Sequence, residues 1–487
     1  MTVETSSNAE SSTAGGSAPL SKSGEALRHA IQMFDAKRFA EAETMLARAL
    51  DVDPANNELL NARGVALASL DRRLEAILCF RQGVERNPEA ANNWTNFGRT
   101  TVFFKQFLIA AEFHRRASAL SPADARIYHN LGIALARGGS HREAILAQSR
   151  ALDLDPQFHL ARWDRAMGHL VLGDYRQGWS DYEARFAAGH VPPRTLPGQR
   201  WTGAPYPGKR LLVLSEQGLG DGIWASRYLR HAKSLGGELI VECRRESIDF
   251  MALQKIADRL IPYEDPLPPA DYYIYQCSLP GLFANDPRAL PPVPYLEAPR
   301  DRMAKFGPAL EKGRGRFKVG IVWSGNVDFR DNKDRAQTLG RFLEAFALPG
   351  VQLYSLQKGP PEKQLAELPS SAPIVDLAPL IGNFADTAAA VAQLDLVIMT
   401  DSSVAHLAAA LGKPVWVLLG RPAYWLWLLD RSDSPWYPTL RLFRPRAGGD
   451  WNHVFDMAAL ELLALAWRFR APPPVPPGRQ SGMRTNV

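Results

Sequence analysis

The chain has 487 residues and a formal net charge of +6 at pH 7. At roughly 150 residues per domain, this length has room for about three domains. The charge is small for the length and no block of five or more Lys or Arg occurs, so nucleic acid is not expected as the main partner. Three scattered cysteines, a start without an apolar core and the lack of a long apolar run predict a cytoplasmic protein without a transmembrane segment.

Residues 1–22 are rich in Ser, Ala and Gly and are predicted to be a disordered tail. From residue 23 a period of 34 residues begins, and prolines, alanines and glycines keep it. The positions are Pro54, Pro88, Pro122 and Pro156; Ala42, Ala76, Ala110 and Ala144; and Gly64, Gly98 and Gly132. Small residues allow two helices to cross closely, and each helix pair buries its apolar face against its neighbours.

This spacing resembles the tetratricopeptide repeat. The resemblance predicts an α-solenoid over residues 23–192, with four repeats and a fifth, degenerate copy as a cap. The Pro/Gly-rich stretch 193–209 is predicted to be a linker. Strands then alternate with helices in two successive units, residues 210–300 and 315–470, and a Pro-rich tail covers 471–487. Two Rossmann-like domains that face a cleft are therefore predicted after the repeats.

The first candidate motif is the sequence EQGLGD, which follows the first strand of the first α/β unit. Gly218 and Gly220 permit a tight turn and close approach of a ligand to the backbone, and Asp221 stands at a helix start. A dinucleotide fingerprint would need glycine where the chain has Ile223, although Glu242 stands where a ribose-binding acid would. A nicotinamide-dependent enzyme therefore stays an open alternative.

The second candidate motif is a buried strand that runs into a polar turn and a helix, LVIMTDSSVAHLAAALGKP. Free N–H groups of a first helical turn and the helix dipole make such a place an anion site. Its polar residues are Asp401, Ser402 and Ser403 in the turn and His406 in the first helical turn.

Two further polar stretches follow strands of the second α/β unit. The run from Asn326 to Arg335 contains cations that could hold a diphosphate, or it is only a solvated loop. Gln357 and Lys358 follow another strand, which places them at the ligand edge of the predicted sheet.

Several stretches taken together resemble the glycosyltransferases related to bacterial ADP-heptose:lipopolysaccharide heptosyltransferases, which have the GT-B fold. They are PGKRLLVLSEQGLGD (207–221), GIVWSGN (320–326), SLQKG (355–359), TDSSVAHLAAALGKPVWVLL (400–419) and DSPWYPTLRLFR (433–444). The resemblance is closest to the subgroup that carries tetratricopeptide repeats in front of that domain. It implies an inverting transfer from a nucleotide-sugar donor without a metal or other cofactor.

The resemblance also assigns roles to residues of this chain. Asp221 matches the candidate base of the glycine-rich turn, and Arg335 best matches a cation on the diphosphate. The residues matched to the donor side are Asp401, Ser402, Ser403, His406, Asn326, Gln357 and Lys358. Segments 327–336 and 420–424 differ from the usual family pattern, which leaves the identity of the donor open.

The sequence therefore predicts an α + α/β protein: a solenoid of repeats followed by two Rossmann-like domains of GT-B type. The expected activity is sugar transfer to a cell-envelope glycan or protein, with the repeats recruiting the acceptor or a protein partner. Peripheral membrane association stays open. A non-catalytic repeat scaffold with a degenerate transferase domain is the alternative.

Two Asp-x-Asp (DxD) sequences occur in the repeats and begin at Asp51 and Asp153. They are interpreted as helix-end turn residues, because each lies just before an inter-repeat proline.

Overall fold

The computed structural model describes residues 21–283, 293–329, 332–420, 424–445 and 450–470. The chain divides into two compact units, one ending at His190 and the other beginning at Val191. The predicted tails 1–22 and 471–487 lie almost wholly outside the described residues.

The first unit is built from antiparallel helix pairs. Its helices are α1 (Lys22–Asp35), α2 (Phe39–Val52), α3 (Asn57–Ser69), α4 (Arg73–Arg86), α5 (Ala91–Thr101), α6 (Phe107–Leu120), α7 (Ala125–Arg137), α8 (His141–Leu154), α9 (His159–Val171), α10 (Tyr175–Tyr182) and the short α11 (Ala184–Ala187). Pairs α1/α2 to α7/α8 are the four predicted repeats, and α9/α10 is the fifth, degenerate copy. The solenoid prediction is confirmed.

The periodic small residues lie where the two helices of a pair touch. A Cβ atom added to Gly64 would lie 2.5 Å from the Phe80 ring, and one added to Gly98 would lie 2.8 Å from the His114 ring. Each periodic proline stands two residues after the second helix of its pair, where a helix cannot continue. Asp53 binds Ser23 and Asn56 through its side chain, as expected of a turn residue.

The second unit begins with a five-stranded parallel sheet. Its strands are β1 (Gln199–Arg200), β2 (Arg210–Leu214), β3 (Glu238–Cys243), β4 (Arg259–Pro262) and β5 (Tyr272–Tyr275), in the order β1-β5-β2-β3-β4. Its helices are α12 (Leu219–Ala225), α13 (Leu229–Ser234), α14 (Arg245–Leu253) and α15 (Leu279–Phe283). The segment predicted as a linker contributes β1, and its Trp201 and Tyr206 are buried with ring centres 5.7 Å apart. That segment is therefore part of this sheet's domain.

The second sheet has seven strands, all parallel except the edge strand β11. The strands are β6 (Phe317–Val322), β7 (Val351–Ser355), β8 (Ile374–Asp376), β9 (Leu396–Thr400), β10 (Val415–Leu418), β11 (Asp433–Ser434) and β12 (Tyr437–Phe443), in the order β11-β12-β10-β9-β6-β7-β8. Its helices are α16 (Arg300–Met303), α17 (Gly307–Glu311), α18 (Asn332–Arg335), α19 (Leu339–Phe346), α20 (Lys363–Ala366), α21 (Phe384–Ala392), α22 (Ser403–Ala410) and α23 (Trp451–Arg470). The two sheets with their helices confirm the predicted α/β architecture after the repeats.

Sheet topology explains where ligands can bind. In the first sheet the chain runs outward from β2 to β4 and then returns to the other side of β2. In the second sheet it runs from β6 to β8 and then returns to the other side of β6, at β9. Ligands of open α/β sheets bind outside the carboxyl ends of strands at such switch points. The two candidate motifs follow β2 and β9.

Candidate active site

The glycine-rich turn and the turn after β9 meet directly. A Cβ atom added to Gly220 would lie 2.7 Å from His406 Cδ2 and 3.4 Å from Ser403 Cα. The amino ends of α12 and α22 therefore face each other, as the sequence predicts for a site shared by the two α/β domains, which are called the two halves below. The two sides of the expected cleft are in contact at Gly220, where an added side chain would meet the His406 ring.

The glycine-rich turn is short, because α12 already begins at Leu219. Gly218 has a φ of −91°, whereas Gln217 carries the left-handed φ of +57°. Gly218 therefore precedes the helix as its cap residue, and Gly220 is required for close approach rather than for its backbone angle.

Asp221 lies in the first turn of α12 with both carboxylate oxygens engaged. Oδ2 accepts a hydrogen bond from the Gly218 N–H at 3.1 Å, and Oδ1 accepts one from the Tyr424 hydroxyl at 2.6 Å. Burial raises the pKa of Asp221, the two hydrogen bonds act in the opposite direction, and the Asp401 charge raises it further. A carboxyl with a raised pKa is a stronger base once it is ionised.

Asp401 follows β9 and is buried, with 8% of its surface exposed. Arg335 Nη1 lies 3.3 Å from Asp401 Oδ2, and its guanidinium covers the Phe329 ring at 4.7 Å. Burial raises the pKa of Asp401, and the Arg335 charge and the nearby Trp427 indole partly oppose this. The structure thus brings the predicted Arg335 to the predicted anion turn.

His406 is buried and neutral. Burial, together with the charges of Arg227 and Arg335, lowers its pKa to about 3. Its ring stacks on Trp427 with centres 5.1 Å apart, and its Nδ1 lies 3.0 Å from the Tyr437 hydroxyl. His406 can therefore offer one N–H group to a ligand but no positive charge.

Several polar atoms around this turn have no hydrogen-bond partner among the described residues. They are Thr400 Oγ1, Ser402 Oγ and Arg335 Nε. Buried polar groups usually find partners, so a group of orphaned donors beside one turn marks a ligand position. Hydroxyl and guanidinium groups both donate to phosphate or sugar oxygens.

Gln357 does not fit its predicted role in donor binding. Its Oε1 accepts from the Trp323 and Ser324 N–H groups at 3.0 and 2.9 Å, and its Nε2 donates to the Ser324 and Lys358 carbonyls. Both ends of the buried amide are used within the protein. Gln357 therefore fixes the loop after β6 instead of reaching a ligand.

Lys358 and Asn326 also make contacts within the protein. Lys358 Nζ donates to the Ala378 carbonyl at 3.0 Å. Asn326 is exposed, and its Oδ1 accepts from the Asp328 N–H at 3.0 Å, which closes a local turn. Neither side chain forms a hydrogen bond or ion pair with Asp401 in the part of the chain that the structure describes. Residues 330, 331 and 421–423, where the chain departs from the family pattern, lie outside the described residues.

Glu242, the acid of the dinucleotide hypothesis, is fully engaged. It accepts two hydrogen bonds from Arg194 at 2.9 and 2.7 Å and one from the Ser215 N–H at 2.9 Å. Its buried carboxylate thus fixes the end of β2 and is not presented to a ribose. The structure does not support the nicotinamide alternative.

Sequence reasoning missed the aromatic part of the site. Tyr424 binds Asp221, Trp427 stacks on His406, and Tyr437 binds His406. Tyr437 belongs to the stretch DSPWYPTLRLFR, which supported the family resemblance without having a role of its own.

Among the described residues, no group of three or more His, Cys, Asp or Glu side chains is arranged to hold a metal ion. No helix in the same part of the chain has the length and apolar character needed to cross a membrane.

Two family models match the chain. The tetratricopeptide repeat matches residues 125–158, and glycosyltransferase family 9 (heptosyltransferase) matches residues 351–422, which include the turn at Asp401. These matches define a class: tetratricopeptide-repeat proteins with a family 9 glycosyltransferase domain at the C-terminal side.

Comparison with individual proteins narrows this class to a family. The chain is 30% identical over 453 residues to Protein FlbA of Caulobacter vibrioides, covering 86% of this chain and 74% of FlbA. The chain belongs to the same family as FlbA. It is also 27% identical over 166 residues to the probable UDP-N-acetylglucosamine--peptide N-acetylglucosaminyltransferase SPINDLY of Hordeum vulgare, covering 33% of this chain and 18% of SPINDLY. Among solved structures, a crystal structure of MamA is similar at 20% identity and a TM-score of 0.31, covering 33% of this chain and 94% of MamA.

Proposed function

We propose that this protein is an inverting, metal-independent glycosyltransferase that moves a sugar from a nucleotide-sugar donor to a cell-envelope glycan or a protein. The observation that carries the proposal is the contact between the glycine-rich turn, which bears Asp221, and the turn at Asp401, where several polar groups lack hydrogen-bond partners among the described residues. A proton acceptor and an anion site then lie on opposite sides of one contact between the two halves. The family 9 match supports the donor class.

On the donor side, Arg335 and the first N–H groups of α22 face the place where a diphosphate would leave. As the anomeric C–O bond breaks, its electron pair passes to the diphosphate, whose charge these groups stabilise. The hydroxyl of Ser402 adds an uncharged donor, which has no hydrogen-bond partner among the described residues.

On the acceptor side, Asp221 accepts the proton of the attacking hydroxyl while that oxygen bonds to the anomeric carbon. Attack opposite the leaving diphosphate inverts the configuration. The Tyr424 hydroxyl, 2.6 Å from Asp221 Oδ1, shows that a hydroxyl can approach and donate to this carboxylate. An acceptor hydroxyl would take the same place.

The repeats are assigned to recruitment of the acceptor or of a protein partner. Stacked helix pairs form extended surfaces that suit this role. SPINDLY carries a peptide acceptor in its name, which supports a protein acceptor here. The proposal includes a cytoplasmic location, no cofactor and no role for nucleic acid.

The test is an assay of the full chain with a panel of nucleotide sugars, with and without a chelator. We expect hydrolysis or transfer with at least one donor, unchanged by the chelator and reduced about 100-fold or more in Asp221→Asn, since general-base catalysis contributes roughly 10²–10⁴-fold. Glu246→Gln is the matched control, because Glu246 is an exposed acid in the first turn of another helix of the same half. Equal activity of Asp221→Asn and the control would refute the assigned base.

The alternative is a repeat scaffold whose transferase domain does not catalyse. The engagement of both Asp221 oxygens within the protein favours it. This alternative predicts that no donor is turned over and that partner binding survives the combined loss of Asp221 and His406.

A further inference from the structure

A line of polar side chains is buried behind the turn at residues 401–403 and connects the two α/β domains. His406 Nδ1 lies 3.0 Å from the Tyr437 hydroxyl, which lies 3.4 Å from the Tyr295 hydroxyl. Tyr295 in turn donates to the Ile223 carbonyl of α12 at 3.2 Å. The three side chains are buried, so each of their polar hydrogen atoms has few acceptors within reach.

The hydrogen atoms can be assigned from the far end of the line. A carbonyl oxygen only accepts, so the Tyr295 hydroxyl hydrogen points to Ile223. Arg227 Nη2 donates to the Tyr295 oxygen at 3.4 Å. Tyr437 then holds the one hydrogen still to be placed, and it goes either to Tyr295 or to His406 Nδ1.

Two observations favour donation to His406. The contact to His406 is 0.4 Å shorter than the contact to Tyr295, as the distances of 3.0 and 3.4 Å show. The buried Arg227 guanidinium also lies 4.8 Å from the centre of the Tyr437 ring, and its charge favours negative charge on the Tyr437 oxygen. The oxygen lone pair therefore faces Arg227, and the hydroxyl hydrogen points away from that cation.

Both partners stay in the protonation states that this assignment needs. Burial raises the pKa of Tyr437 well above its ordinary value, so the group remains a hydroxyl. The pKa of His406, lowered to about 3, keeps the ring neutral with a single N–H. Which ring nitrogen carries that hydrogen depends on the direction of the Tyr437 bond.

We propose that Tyr437 is a positioning residue that holds His406 as the tautomer protonated on Nε2 and thereby presents an N–H donor to the donor diphosphate. Nε2 lies on the Gly220 side of the ring, 3.2 Å from where a Cβ of that glycine would be. The Trp427 stack holds the ring plane. The role in diphosphate binding rests on the proposed function, whereas the tautomer does not.

The opposite arrangement would reverse the effect of His406 on a ligand. If Tyr437 donated to Tyr295, His406 Nδ1–H would donate to Tyr437 and Nε2 would carry a lone pair. That lone pair would repel a phosphate oxygen. The direction of one buried hydroxyl thus decides whether His406 attracts or repels the diphosphate.

The first test is nitrogen NMR of the full chain labelled at its ten histidines. The His406 signals are those that disappear in His406→Gln. We expect a protonated Nε2 and an unprotonated, hydrogen-bonded Nδ1 in the wild type at neutral pH. In Tyr437→Phe the Nδ1 signal should move to that of a free ring nitrogen, whereas in the matched control Tyr295→Phe it should stay. A protonated Nδ1 in the wild type, or equal shifts in both variants, would overturn the proposal.

The second test is titration with the nucleoside diphosphates ADP, GDP and UDP. Loss of one hydrogen bond to a charged group should weaken binding roughly tenfold in Tyr437→Phe. The Tyr295→Phe variant should bind within about twofold of the wild type, because it keeps the bond to His406. Equal affinities of Tyr437→Phe and the wild type would overturn the positioning role. If no nucleoside diphosphate binds the wild type, the proposed function fails, and the NMR result still decides the tautomer.

Discussion

The contact at Gly220 gives the sharpest test of the site geometry. In Gly220→Ala the new methyl group would lie 2.7 Å from His406 Cδ2, well inside van der Waals contact. The His406 ring has little room to move, because it stacks on Trp427 and is bonded to Tyr437. The backbone at Ser403, 3.4 Å from the methyl group, limits movement of the helix itself.

The expected size of the effect can be worked out from two opposing terms. An extra methyl in a close-packed interior costs about 1–3 kcal/mol. Alanine in place of glycine within a helix stabilises it by about 0.5–1 kcal/mol. The net change in the free energy of unfolding for Gly220→Ala is therefore a loss of roughly 0–2.5 kcal/mol.

Gly222→Ala is the matched control, since Gly222 lies in the same helix and its added Cβ would meet Gln276 Oε1 at an ordinary 3.6 Å. It should gain about 0.5–1 kcal/mol, so the two variants should differ by about 1–3 kcal/mol. Thermal unfolding of the transferase unit measures this as a few degrees, at roughly 2–4 °C per kcal/mol. Equal midpoints for the two variants would show that the two turns do not touch.

Three further predictions concern single groups. Tyr424→Phe removes a hydrogen bond that lowers the pKa of Asp221, so the acid limb of the kcat/KM profile should move to higher pH; an unmoved limb would contradict the contact. Arg335→Ala should weaken nucleoside diphosphate binding roughly tenfold or more, with partial recovery in Arg335→Lys, because a hydrogen bond to a charged group is lost; equal titration curves would exclude this role. Burial lowers the pKa of His114 to about 3, so the repeats should lose stability as pH falls below about 6.5, where the unfolded chain takes up the proton. Unfolding measured at pH 5 and pH 7 should show a smaller loss of stability in His114→Gln than in the wild type. An equal loss in both would refute the assignment.

The sequence was sufficient where backbone topology decides position. Asp401 directly follows β9 and Asp221 lies in the first helical turn after β2, because the segments that follow parallel strands lie at one edge of each sheet. The 34-residue period located the helix pairs, since glycine is needed wherever two helices touch as Gly64 and Phe80 do. Both inferences use local rules that do not depend on distant partners.

The sequence was insufficient where a side chain's partner comes from far along the chain. Gln357 was expected to bind the nucleotide-sugar donor, but its side-chain amide is hydrogen-bonded to the loop that begins at Trp323. Tyr424 reaches Asp221 across 203 positions, and no spacing rule connects them. Some polar side chains at the predicted ligand edge of a sheet are available to bind a ligand, whereas others stabilise the loops at that edge. Only their hydrogen bonds distinguish the two groups.

The partners of the two carboxylates also separate their proposed roles. Asp221 and Asp401 are near enough for the charge of Asp401 to raise the pKa of Asp221, as expected of two acids in a low-dielectric contact. Asp401 has a cation beside it in Arg335, whereas the groups that lower the pKa of Asp221 are an uncharged hydroxyl and a backbone N–H. A carboxylate held by a cation is suited to fixing that cation against a diphosphate, and one held only by neutral donors is the better proton acceptor. The chemistry assigned to each acid thus follows from what surrounds it rather than from its position in a motif.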